Sequence, residues 1–274
     1  MNKILTTAFL FLFVQTTNAQ KGIDNLIQAE KNFAAYSVAH STKEAFQQFI
    51  DSSSMMFDNG KPVRAIEFWE KREKNAGVLN WWPQYAEISA SDDFGYTTGP
   101  WTFQQTKSDT IVARGQYTTV WHINENGEWK FLVDLGVNNT PANTIEDVRI
   151  IDTPKQEENT KAIPHISPLV SAENSFNQLF ENNKSKTYKT WLSGESVLNR
   201  NGSLPAVTSA ERRNIIDSTP VVIKYTMNGW DISPVPDMGH TYGTTVMNGK
   251  TENYLRIWRR EKSGWKIAVE VLRY

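Results

Sequence analysis

The residues of this chain with most capacity for chemistry are two acids set in apolar runs. Asp134 ends the stretch Trp129 to Asp134, and Glu270 holds the matching place in Trp265 to Glu270. A carboxyl withdrawn from water keeps its proton to higher pH, toward the range where general acid or base catalysis works best. Strict two-residue alternation places Asp134 with Lys130, opposite Trp129, Phe131 and Val133, so a solvated position and a buried one both stand open. Asp58 is the second candidate catalytic acid. It precedes Asn59 and Gly60, and a turn residue there has a purely structural use, since Asp bonds nearby backbone.

Donors that could hold a ligand fall into two groups. Tyr96 and His240 occupy corresponding places, and they differ in the one residue type that titrates near neutral pH. Tyr225, Tyr242 and Arg256 could join His240. Trp101 and Tyr117, with Trp81 and Trp82, could line an apolar or carbohydrate-stacking site, although aromatic residues at strand spacing serve a core equally well. The four histidines, at 40, 122, 165 and 240, show no metal-ligand spacing. No metalloprotease helix, calcium loop, phosphate loop, dinucleotide fingerprint or nucleophile elbow is present, so neither a metal nor a cofactor is expected.

The elements that must position these groups come twice. Residues 87 to 99 read EISASDDFGYTTG and residues 231 to 243 read DISPVPDMGHTYG, with six identities in thirteen and no gap. Ala29 to Phe33 answers Ala172 to Phe176, Tyr117 to Trp121 answers Tyr254 to Trp258, and Glu128 to Asp134 answers Gly264 to Glu270. Each half begins with helical spacing: Leu26, Ala29 and Phe33 in the first, and Phe176, Leu179 and Phe180 in the second. Ser41 to Glu44 and Thr208 to Glu211 form capping boxes. Asn59-Gly60 marks a tight turn, and Pro62 suits the first turn of a third helix carrying Ile66 and Trp69. From Trp82 the period becomes two. Tyr117, Thr119, Trp121 and Ile123 share one face, Asn126-Gly127 turns the chain, and Trp129, Phe131, Val133 and Leu135 are expected to share a face of the last strand. Helices followed by antiparallel strands give an α+β class, with helices on one face of a curved sheet.

Two domains are therefore expected, at 22 to 138 and 169 to 274, joined by a linker over 139 to 168 that has room for one strand near Val148 to Ile151. Lys3, the apolar run Ala8 to Val14 and the small residues ending at Ala19 have the layout of a secretory signal, residues 1 to 19, implying a secreted or periplasmic protein. The chain has no cysteine, so disulfides and thiolate chemistry are excluded. At 39% hydrophobic and 12% aromatic residues it can depend on its cores instead. A formal net charge of -1 leaves no footprint for nucleic acid or an anionic membrane.

These motifs resemble the nuclear transport factor 2-like superfamily, in the branch with SnoaL-like and kinase-association-like domains. The resemblance rests on Ala29-Glu30 with Phe33, the turn Asp58 to Gly60, and the run Asp93 to Trp101. Gly115, Tyr117, Val120 and Trp121 extend it, as do Gly127, Trp129 and Lys130 leading to Asp134 and Gly136. It implies two tandem cystatin-like cones, each a curved sheet wrapped around helices with a pocket at one end, paired as an internal pseudo-dimer compatible with a monomer. It also implies a small-molecule ligand and, in the enzymes, a pocket carboxylate acting without cofactor in lyase, isomerase or hydrolase chemistry. Fold alone does not choose between binding, catalysis and a structural role.

Overall fold

In the computed structural model the described residues are 15–139, 149–151 and 167–274, with side chains described from Gly22 onward. Most of the expected signal and linker lie outside them. The first half opens with helices α1 (Gln15–Ala39) and α2 (Thr42–Phe49). Ser41 caps α2 by accepting from the Glu44 amide at 3.2 Å. Strands β1 (Ile50–Asp58) and β2 (Lys61–Arg64) form a hairpin over Asn59 and Gly60, both at positive φ. Pro62 thus lies in β2 rather than opening a helix, and α3 (Ala65–Glu70) starts three residues later. At the sheet edge proline's missing N–H costs no ladder bond.

The long strands follow: β3 (Val78–Trp81), β4 (Tyr85–Ile88), β5 (Phe94–Gln104), β6 (Ala113–Ile123), β7 (Trp129–Asp134) and β8 (Val137–Asn138). The short strand β9 (Arg149–Ile150) pairs parallel with β4. The sheet runs β2-β1-β7-β6-β5-β4-β9, with β3 also on β5 and β8 on β6.

The second half repeats the plan. Helices α4 (Pro168–Asn182) and α5 (Lys184–Trp191), strand β10 (Leu192–Arg200) and helix α6 (Ser209–Ser218) lead into β11 (Lys224–Ile232), β12 (Met238–Met247), β13 (Lys250–Glu261) and β14 (Gly264–Leu272). Thr208 and Glu211 complete a reciprocal capping box on α6. The sheet order is β10-β14-β13-β12-β11. The fold class is α+β, as expected.

Three cores hold this together. One lies inside the first sheet's curve, around Phe33, Phe46, Trp81, Trp121 and Phe131, and another inside the second, around Phe176, Phe180, Tyr188, Tyr254 and Trp258. Between the two sheets lies a third layer, where Phe94, Tyr96, Val120, Val133 and Leu135 meet Leu255, Ile257, Val269 and Val271. Gly95 and Gly239 recur because helix and sheet touch there: a Cβ would sit 2.7 Å from Leu26 Cδ2 in one half and 2.7 Å from Leu169 Cδ2 in the other.

The last strand of each sheet departs from simple alternation. Val133 pairs with Val120 but Phe131 pairs with Trp121, so Leu132 is an extra residue, and Ala268 is its counterpart between Ile267 and Val269. A bulge puts two residues opposite one and reverses which face later side chains occupy. Trp129 and Phe131 therefore face the first cone, while Val133 and Leu135 join the layer between the sheets, correcting the single face expected for all four. The same reversal turns Asp134 and Glu270 inward.

Candidate functional site

The helical stripe Leu26, Glu30, Phe33 places an acid among apolar residues at the centre of the first cone. Glu30 is fully buried. It accepts from Trp121 Nε1 at 2.8 Å and from closer contacts with Trp81 Nε1 and Thr97 Oγ1. Burial pushes its carboxyl up to about 7, against the opposing pull of these three donors, and the neighbouring Asp134 raises it further. Asp134, half-buried, sits across from Thr119, whose hydroxyl donates to Asp134 Oδ2 at 2.8 Å. Its carboxyl is pushed up to about 6, again mainly by burial, with Thr119 and Arg273 opposing.

Asp134 borders a cavity of about 210 Å³ at the end of the first cone. The apolar wall is Phe46, Leu79, Trp81 and Trp101, and the polar groups come from Tyr117, Asp134, Asn138 and Arg273, with Gly136 between. Trp101 Nε1 is occupied, donating to the Val137 carbonyl at 3.2 Å. The Tyr117 hydroxyl is buried and makes no hydrogen bond. Burial, with Glu30 nearby, holds it protonated far above the usual phenol range. The hydroxyl exposes no surface to the cavity, and the Thr97 side chain is the polar group beside it.

The second cone is built alike and filled differently. Glu173 takes the place of Glu30, accepting from Thr241 Oγ1 at 2.7 Å and Tyr254 OH at 2.9 Å. Where the first half has Thr119, the second has Arg256, in the same cross-strand register with Glu270 that Thr119 has with Asp134. The Arg256 guanidinium reaches Glu173 at 2.5 Å and Glu270 at 2.7 Å, and lies 3.8 Å from the Phe176 ring centre. Glu270 also bonds Arg200, and accepts from Tyr188 OH at 2.8 Å. Burial alone would raise the Glu270 carboxyl, but Arg200 and Arg256 hold it below the usual carboxylate range. Glu173, Arg256, Glu270 and Arg200 thus form one buried ion-pair network inside the second cone. In the first half Asp58 stands where Arg200 does, Phe46 where Tyr188 does and Thr119 where Arg256 does, so no cation replaces either arginine of the second cone.

The structure divides the residues singled out from sequence into four groups. Asp134, Trp101 and Tyr117 meet at the first cavity. Tyr225, Arg256 and Glu270 lie inside the second cone. Tyr96, His240 and Tyr242 lie on the outer sheet faces in the layer between the halves. They are therefore separated from Tyr225 and Arg256, which correct the single donor group expected around His240. Tyr96 donates to Glu87 at 3.0 Å and Glu87 pairs with Arg259 at 2.7 Å, while His240 stacks on Phe94 with ring centres 6.0 Å apart. Burial, reinforced by His122, pushes the His240 imidazole down to about 3, so it is neutral. Asp58 is exposed at the β1–β2 hairpin, 3.4 Å from Arg72, away from the cavity.

Glu30 was missed, and its signal was present: an acid on the i, i+4, i+7 stripe of two core residues, repeated by Glu173 between Leu169 and Phe176. Arg273 was missed because sequence carries no mark that the second half's last strand reaches the first half's cavity. Among the described residues no cluster of three or more metal-ligating side chains occurs, and no helix is long and apolar enough to cross a membrane.

No family model matches the chain, and no curated protein matches it. Solved structures do. An NTF2-like protein of unknown function from Shewanella oneidensis shares 17% identity, covers 41% of this chain and 96% of its own, and superposes with a TM-score of 0.34. A protein of unknown function with a cystatin-like fold from Nostoc punctiforme gives 13%, 39%, 87% and 0.32 for the same quantities. Nuclear transport factor 2 from Cryptosporidium parvum gives 13%, 38%, 89% and 0.32. These neighbours bear NTF2-like and cystatin-like names.

Proposed function

We propose that the first cone is a binding site for one small, largely apolar molecule carrying a polar head, and that the second cone is its closed structural counterpart. The observation that carries this reading is the exchange of Arg256 for Thr119 at one cross-strand position. With the guanidinium, two buried carboxylates are paired with a cation between them. Without it, the first cone keeps a cavity of about 210 Å³ and an inward carboxyl. That volume is below the roughly 300–1,000 Å³ of drug-sized ligand pockets, so the occupant is small.

The site is also equipped for proton transfer. A carboxyl titrating at about 6 beside a phenol donor has the composition of a cofactor-free lyase, isomerase or hydrolase centre. Catalysis is the second reading, favoured by the position of Asp134 at the cavity wall. Secretion or periplasmic placement completes the proposal, supported by the layout of residues 1 to 19, and mature protein beginning at Gln20 would support it.

Native mass spectrometry of gently purified protein, followed by titration of small apolar compounds, tests the binding reading. The expected result is one bound molecule per chain, lost on Thr119→Arg and retained when Asp58 is changed to Asn. Protein that binds no compound, or binds equally well with Thr119→Arg, would overturn it. For the catalytic reading, Asp134→Asn should remove turnover while the melting temperature moves by only a few degrees.

A further inference from the structure

Arg273 is supplied by the second half, yet it borders the first half's cavity. Its backbone is fixed in the second domain: the amide donates to Asn253 O at 2.9 Å and the carbonyl accepts from Thr245 Oγ1 at 2.8 Å. Its side chain crosses over, where Nε donates to the Gly136 carbonyl at 2.7 Å and Nη2 to the same oxygen. Nη1 makes no hydrogen bond to a described residue, and the guanidinium lies in the field of both Glu252 and Asp134.

The hydrogen-bonding inventory at the polar end is unbalanced. Arg273 Nη1 is a donor without a described acceptor, whereas one Asp134 oxygen is already taken by Thr119. An amine would meet the Arg273 charge. A neutral hydroxyl could accept at one point only, while a carboxylate offers two oxygens in the plane that a guanidinium favours. We propose that the cavity selects a small monocarboxylic acid bound as its anion, with the carboxylate held by Arg273 and the hydrocarbon part among Phe46, Leu79, Trp81 and Trp101. This rests on the first cone being a ligand site, and it makes the second domain a contributor of specificity to the first.

A bound anion faces Asp134, with Glu30 from α1 behind it and Glu252 from β13 beside Arg273, the one cation among the described lining residues. Two carboxylates in contact share a proton more readily than they both ionise. Binding is therefore accompanied by proton uptake, and affinity falls as pH rises from 6 to 8.

The test is calorimetry on the full chain with benzoate, benzamide and benzyl alcohol, which differ in the head group and share the ring. The expected result is that benzoate binds at least about tenfold more tightly than the two neutral probes. Arg273→Gln should abolish that preference and Arg273→Lys keep most of it, with melting temperatures measured for each. If Arg273→Gln does not fold, the wild-type preference and its pH dependence still decide the matter. Neutral probes binding as well as benzoate to the wild-type protein would overturn the carboxylate assignment and leave the cavity's role in binding intact. Failure of all three to bind would overturn both.

Discussion

Replacing Arg256 by Met tests the contrast between the two cones, because Met fills similar volume and removes only the charge and its hydrogen bonds. In the structure this breaks contacts of 2.5 Å to Glu173, 2.7 Å to Glu270 and 3.0 Å to Asn177 Oδ1. Glu270 retains Arg200, so the loss falls mainly on Glu173, which is left without a cation in a site with no exposure. Removing one partner of a buried pair costs about 3–5 kcal/mol, a large share of the 5–15 kcal/mol typical of a folded domain. Urea unfolding followed by tryptophan fluorescence and circular dichroism at pH 7.5 measures it. Thr119→Val, at the matching position, removes one neutral donor beside a cavity and should cost only about 1 kcal/mol. A loss below about 1 kcal/mol for Arg256→Met, or equal losses at the two positions, would refute the reasoning.

Further outcomes follow from the same contacts. The native pKa of Asp134, about 6, lies above its ordinary 3.8, so the folded chain binds more protons than the unfolded chain between those values. The contribution of Asp134 is thus fully present below about pH 4 and is lost as pH rises through 6. The full shift corresponds to about 3 kcal/mol, and partial exposure reduces the expected slope to about 1–2 kcal/mol; Asp134→Asn should flatten it in unfolding curves measured across that range. Thr119→Arg should lower the Asp134 titration midpoint and abolish ligand binding without unfolding the chain, as read by carboxyl NMR and calorimetry. Gly95→Ala would put a Cβ 2.5 Å from the Glu87 carbonyl and 2.7 Å from Leu26, so a loss of about 1–3 kcal/mol is expected in the same unfolding assay.

Much of the architecture could be read from residues alone because local chemistry specified it. The helix cap at Ser41, the reciprocal capping box at Thr208, the turns at Asn59-Gly60 and Asn126-Gly127, and the alternation in Tyr117 to Ile123 each have a local physical cause. Pro62 misled because the same ring that suits a helix's first turn also suits an edge strand. The side on which Asp134 points could not be read, since Leu132 and Val133 are both apolar and nothing in the run from Trp129 to Leu135 marks which one is the extra residue. Glu30 was legible in principle, as an acid on an apolar helical stripe. Arg273 was not, because its role depends on how two sheets meet.

The duplication thus fixes a scaffold and leaves one position, Thr119 against Arg256, to decide whether a cone is open or closed. The most direct measurement is the titration of the Asp134 side-chain carboxyl by carbon-detected NMR, free and with a bound probe. The account predicts a midpoint near 6 in the free protein and a further upward shift when a carboxylate enters the cavity. An Asp134 carboxyl that titrates near 4, and does so unchanged in the presence of every compound the protein binds, would contradict it.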